Sequence, residues 1–62
     1  MAIYKNTNGE TIETNGTRYT ITSADGNIQR TADISKWTSN AEQWIDNDIK
    51  QGLYNGFVKA GA

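Results

Sequence analysis

The chain reads as an α+β domain in which a small antiparallel meander of three to four strands packs on one α-helix at about residues 40–51. Three observations carry this reading. Four Asn-Gly or Asp-Gly dipeptides punctuate 62 residues (Asn8-Gly9, Asn15-Gly16, Asp25-Gly26 and Asn55-Gly56), three of them in the first half. Between those three, isoleucine and tyrosine alternate with polar residues. After Ser39 the apolar spacing changes from two to that of a helix, at Ala41, Trp44, Ile45 and Ile49.

The turns set the register. A type I′ turn needs positive φ at both central residues, and Asn or Asp before Gly meets that need at least steric cost. A two-residue loop at Asn15-Gly16 predicts the pairs Thr14–Thr17, Glu13–Arg18, Ile12–Tyr19 and Thr11–Thr20. Those are favoured cross-strand combinations. At Asp25-Gly26 the same rule predicts Ser23 opposite Ile28, Ile21 opposite Arg30 and Tyr19 opposite Ala32. An even loop keeps Ile28 on the face of Ile21, because side chains alternate with period two. At Asn8-Gly9 the rule sets Lys5 opposite Ile12 and leaves Ile3 on that face. One face then carries Ile3, Ile12, Tyr19, Ile21, Ile28, Ala32 and Ile34. The other carries Asn6, Thr11, Glu13, Arg18, Thr20, Thr22, Gln29 and Thr31, with Tyr4 near one edge.

The helix has a start and a stop. Ser39-Asn40-Ala41-Glu42 matches a capping box, and Gly52 supplies a left-handed residue after the last turn. Asp46 and Lys50 form a correctly oriented i,i+4 pair. The apolar stripe, extended by Trp37 and Leu53, is expected to lie across the isoleucine-rich face. Residues 1–62 read as a single domain. The tail 53–62 reads as a small hairpin at Asn55-Gly56, an edge strand at Phe57-Val58, or an interaction tail reaching a neighbouring subunit.

Composition narrows the chemistry. A chain this short buries only about 60% of its unfolded surface, so packing must carry stability without disulfides. Neither Cys nor His is present, which removes the thiol nucleophile, the commonest general base and the soft metal ligands. No Gly-rich phosphate cradle occurs, and the hydroxyls have no base to activate them. Asp46-Asn47-Asp48 lacks the Gly and closing Glu of a calcium loop. Glu42 and Asp46 share a helical face, where solvated charge explains them better than acid–base chemistry. Asn15-Gly16-Thr17 is a glycosylation sequon that reads more simply as a turn. The chain is therefore expected to be no enzyme and to hold no metal or cofactor. Net charge is −1, and Lys5, Arg18, Arg30, Lys36, Lys50 and Lys59 are scattered among acids, so a nucleic-acid partner is disfavoured. No apolar run is long enough to span a membrane, and the polar N-terminus lacks the apolar core of a secretion signal. Cytoplasm is the expected location.

Binding is the remaining class. The Thr-rich face is flat enough to meet a protein, although a water-facing sheet of β-favouring Thr explains it better. Among the aromatics, Trp44 is expected in the core, while Tyr54 and Phe57 are expected at the surface, where aromatic side chains dominate interface energetics. Asp48, near the helix C-terminus, sits against the dipole and invites a second role. The candidate protein-binding residues are Arg18, Thr20, Thr22, Thr31, Trp37, Tyr54 and Phe57.

The turn-spaced strands up to Ile34, followed by Ser39-Asn40-Ala41-Glu42-Gln43-Trp44-Ile45-Asp46, resemble a class of compact, acidic, phage-encoded proteins built from a short antiparallel sheet and a Ser-capped helix. Some of these inhibit host defence nucleases, as anti-CRISPR proteins do, and others are minor virion components. The resemblance implies a protein partner or a larger assembly, such as a host defence complex. Its alternative is a structural subunit that assembles with itself, as a homo-oligomer, or with a capsid or tail neighbour. No residue role is carried over from it.

Overall fold

The computed structural model describes residues 1–61. Five strands form one antiparallel sheet: β1 (Ala2–Lys5), β2 (Thr11–Asn15), β3 (Arg18–Thr22), β4 (Ile28–Asp33) and β5 (Val58–Gly61). The helix α1 (Ala41–Lys50) separates β4 from β5 in the chain. The spatial order is β4-β3-β2-β1-β5. The meander thus runs from β1 out to β4, the helix returns over β2, and β5 closes on the free side of β1. The fold class is α+β, a sheet packed on one helix.

The central hairpin turns one residue later than the dipeptide rule predicts. Asn15 pairs with Arg18, Thr14 with Tyr19, Glu13 with Thr20, Ile12 with Ile21 and Thr11 with Thr22. The loop is therefore Gly16-Thr17. Gly16 has φ +61, and the only non-glycine with positive φ is Tyr54 among the described residues. A positive φ at the first central residue alone is the arrangement of a II′ turn. It asks only Gly16 to leave the regions L-residues favour, where a I′ turn at Asn15-Gly16 would ask Asn15 as well. Moving the centre by one residue moves every pairing by two, so each side chain keeps its predicted face.

The other two turns are odd loops, and both correct the predicted register. Asn6 N–H donates to the Glu10 carbonyl (3.2 Å) and Gly9 N–H to the Asn6 carbonyl (3.2 Å). Ser23 N–H likewise donates to Asn27 (2.8 Å) and Gly26 N–H to Ser23 (3.0 Å). Each is a three-residue loop closed by a left-handed glycine, with φ +86 at Gly9 and +90 at Gly26. Side chains hold them. Asn6 Oδ1 accepts from the amides of Asn8 and Glu10. Asp25 accepts from Ser23 Oγ and from the Asn27 amide. These bonds favour the ionised Asp25 carboxyl and hold its pKa below the usual range, Ser23 contributing most.

An odd loop reverses the faces beyond it. In β1 nothing undoes the reversal. Tyr4 pairs with Ile12 and Ala2 with Thr14, so Tyr4 and Ala2 are buried, while Ile3 goes to the outer face opposite Glu13. In β4 the reversal is undone at once. Ile28 pairs with Thr22, then a bulge restores Ile21 opposite Arg30 and Tyr19 opposite Ala32. Within β4 Ile28 is left off the core: it stands opposite Thr22, off the face of Ile21, and is 68% exposed.

The core comprises Ala2, Tyr4, Ile12, Tyr19, Ile34, Ala41, Ile45 and Phe57. Thr14 is the one buried polar residue among those described, and its hydroxyl bonds the Ala2 amide (3.1 Å) and carbonyl (3.4 Å). Asn40, not Ser39, caps the helix. Its backbone is extended (φ −145, ψ 98) and its Oδ1 accepts from Gln43 N–H at 3.2 Å. Ser39 lies one residue too early, because Thr38 Oγ1 takes the Asn40 amide (3.1 Å) and fixes the chain's entry there. Ala41 N–H donates to Gly16 O at 2.8 Å, tying the helix start to the central turn. At the far end Gly52 N–H reaches Ile49 O (3.1 Å) and Leu53 N–H reaches Asp48 O (2.9 Å), a Schellman closure around Gly52 at φ +92.

Candidate functional site

Helical spacing gives α1 two working flanks. Ala41 and Ile45 point to the sheet and are buried. Glu42 and Asp46, one turn apart, share the flank towards β1 and β5. There Lys59 Nζ lies 2.7 Å from Glu42 Oε2 and 3.2 Å from Asp46 Oδ2. The same ammonium stands 5.7 Å above the Tyr4 ring, and Tyr4 OH donates to Asp46 Oδ1 at 2.7 Å and to Glu42 O at 3.2 Å. Burial pushes the Tyr4 phenol far above its ordinary range, and the bond to Asp46 and the charges of Asp46 and Glu42 add to the shift. Lys59 is raised too, chiefly by its bond to Glu42 and then by Asp46. The cluster locks the edge strand to the helix. The two carboxylates are engaged with Tyr4 and Lys59 of their own chain.

Trp44 and Asp48 share the opposite flank, towards β3 and β4. Here the helix does not cover the sheet. A groove of about 300 Å³ opens between them, lined by Tyr19, Arg30, Ile34, Trp37, Trp44, Asp48 and Tyr54. Its floor is Tyr19 and Ile34, both buried. Trp37 stands at 67% exposure. Its backbone is nonetheless held, since Trp37 N–H donates to Ile34 O (2.9 Å) and Thr38 N–H to the same carbonyl (3.1 Å). Ile34 N–H in turn extends the β3–β4 ladder to Thr17 O at 2.8 Å. Arg30 projects from β4 with its guanidinium 5.8 Å from the Tyr19 ring centroid. Burial raises the Tyr54 phenol above its usual range, neighbouring Tyr19 and Asp48 raise it further, and Arg30 opposes them. Tyr54 thus lies within reach of Tyr19, Asp48 and Arg30.

The predicted site residues separate into three places. Arg18, Thr20, Thr22 and Thr31 lie on the outer face, in rows set by the pairs Thr11–Thr22, Glu13–Thr20–Thr31 and Asn15–Arg18–Asp33. Trp37 and Tyr54 line the groove on the helix side. Phe57 does neither. It is 9% exposed, part of the core, and meets Tyr54 edge to face with centroids 6.3 Å apart. The expectation that Phe57 is at the surface is thus corrected: the reversal at Asn55-Gly56 turns its ring inward, with Phe57 N–H bonded to Tyr54 O at 3.2 Å. Trp44, expected in the core, is half-buried at the groove wall.

Sequence reasoning missed Arg30, Tyr19 and Asp48 as neighbours. Arg30 and Tyr19 carried a signal, since the predicted β3–β4 register already put Arg30 and Ala32 on the inner face. Among the described residues, no three His, Cys, Asp or Glu side chains group as metal ligands, and no helix is long and apolar enough to cross a membrane. In comparisons with protein-family models, curated proteins and solved structures, the chain matches none.

Proposed function

We propose that this chain is a non-enzymatic protein-binding module that docks through the groove between α1 and the β3–β4 half of the sheet. The observation that carries this reading is Trp37, two-thirds exposed yet anchored by the backbone, beside Trp44, Tyr54 and Arg30. Trp, Tyr and Arg are the residue types that dominate binding energy at interfaces. A backbone already held in place loses little further conformational freedom on docking. The outer face, with Arg18, Thr20, Thr22 and Thr31, lies on the other side of the sheet and serves at most a second contact. By its resemblance to phage inhibitors, the partner is a larger host assembly such as a defence complex.

The self-assembling subunit is the weaker reading. Both sheet edges carry a charge directed at the inner face, Arg30 on β4 and Lys59 on β5, and β4 is bulged. Inward charges and bulges on edge strands oppose strand-to-strand association.

Affinity capture from the source cell, with mass spectrometry of what is retained, tests the proposal. The wild-type chain is expected to retain a protein, Trp37→Ala to lose it, and Thr31→Lys on the outer face to keep it. Recovery of nucleic acid alone, or equal capture by Trp37→Ala, overturns it.

A further inference from the structure

Two opposite charges line the groove without pairing. The ion pairs among the described residues join Lys59 to Glu42 and to Asp46, so neither Arg30 nor Asp48 is in one. Asp48 is half-buried and lies in the last turn of α1, where the helix carbonyls already make the potential negative. A cation brought to it would relieve both charges. Trp37 and Trp44 line the same groove, and an indole face attracts a cation. Arg30 stands on the opposite wall, on β4, and offers a fork that suits a carboxylate. A purely cationic occupant would be repelled by Arg30, and a purely anionic one by Asp48. At about 300 Å³ the groove matches the small end of ligand sites, room for side chains rather than a folded element.

We propose that the groove takes a short peptide segment of the partner protein bearing one basic and one acidic side chain, the basic group at Asp48 against the tryptophans and the acidic group on Arg30. This rests on the reading of the chain as a protein-binding module.

The two tryptophans both line the groove, so intrinsic fluorescence reports its occupancy directly. The probes are four end-blocked peptides of Ala and Gly carrying Arg and Glu, Arg alone, Glu alone, or neither. The doubly charged peptide is expected to give a saturable change and to bind about two- to fivefold more tightly than either singly charged one, the range open to exposed ion pairs. Asp48→Asn should erase the advantage that Arg confers, Arg30→Gln the advantage that Glu confers, and Lys59→Gln neither. Equal binding of the uncharged peptide, or no saturable change with any peptide, overturns the inference. If the panel is silent while Trp37→Ala still loses the captured partner, the occupant's chemistry is wrong and the docking reading stands. If Trp37→Ala also keeps the partner, both fall.

Discussion

The Tyr4 hydroxyl donates to Asp46 Oδ1 across 2.7 Å, joining the second strand from one edge of the sheet to the middle of the helix. The phenol ring is 1% exposed, so its polar end depends on that carboxylate and on Glu42 O. Tyr4→Phe keeps the ring and removes the donor. Asp46 keeps Lys59, so no charge is left unpaired. The expected loss is about 1 kcal/mol, read as a fall in Tm of roughly 4–8 °C for a domain of this size. An unchanged Tm would show that the bond contributes nothing net.

The same cluster predicts alkaline sensitivity. The Tyr4 pKa is raised by burial and by Asp46, so the unfolded chain gives up this proton more readily than the folded one. Its contribution is fully present below the ordinary Tyr value of about 10 and is lost as pH rises beyond it. Lys59, also raised, acts in the same direction and window. Urea midpoints should therefore hold to about pH 9 and fall from about pH 10 upward, and fall less in Tyr4→Phe. Parallel profiles would remove Tyr4 as the cause.

The central turn can be located by substitution. A Cβ at Gly16 meets nothing within 4 Å, so Gly16→Ala is penalised by its φ of +61 alone. The expected cost is about 1–3 kcal/mol. Asn15, with its backbone in β2 and its side chain exposed, should tolerate Ala within about 0.5 kcal/mol. Equal costs from denaturant melts would return the turn centre to Asn15-Gly16.

The helix start gives a parallel contrast. Asn40→Ala removes the side-chain acceptor for Gln43 N–H and should cost about 1 kcal/mol. Ser39→Ala removes no described bond and should stay within about 0.5 kcal/mol. Reversed values would restore Ser39 as the cap.

Which parts of this fold could be read from the sequence follows from parity. The predicted β2–β3 pairs are all displaced, yet Ile12, Tyr19 and Ile21 still share the inner face, because the displacement is even. Ile21–Arg30 and Tyr19–Ala32 are met as predicted, because the bulge in β4 cancels the odd loop before it. β1 had no such cancellation, and its assignment of Ile3 to the core gave way to Tyr4. Asn-Gly and Asp-Gly announce a reversal, but the same glycine serves two- and three-residue loops. The choice between them rests on Asn6 and Asp25, whose side chains clamp the longer form. The groove was legible only in pieces. Its aromatics stood out in the sequence, whereas the meeting of Arg30 on β4 with Asp48 on α1 depends on which half of the sheet the helix leaves open.

Phe57 and Trp37 separate stability from recognition. Both are aromatic and both were read as binding candidates, but one is 9% and the other 67% exposed. Truncating Phe57 empties part of the core and removes the edge-to-face partner of Tyr54. Phe57→Ala is expected to cost about 3–5 kcal/mol, enough to unfold much of a chain this small near physiological temperature. Trp37 contacts solvent over most of its surface, and its fixed backbone does not depend on the indole. Trp37→Ala should therefore change stability by less than about 1 kcal/mol while abolishing partner capture. Circular dichroism melts of the two variants, run beside the capture experiment, check both expectations. A Trp37→Ala chain that melts as low as Phe57→Ala would make the tryptophan a packing residue and take away the principal support for the groove as a docking surface.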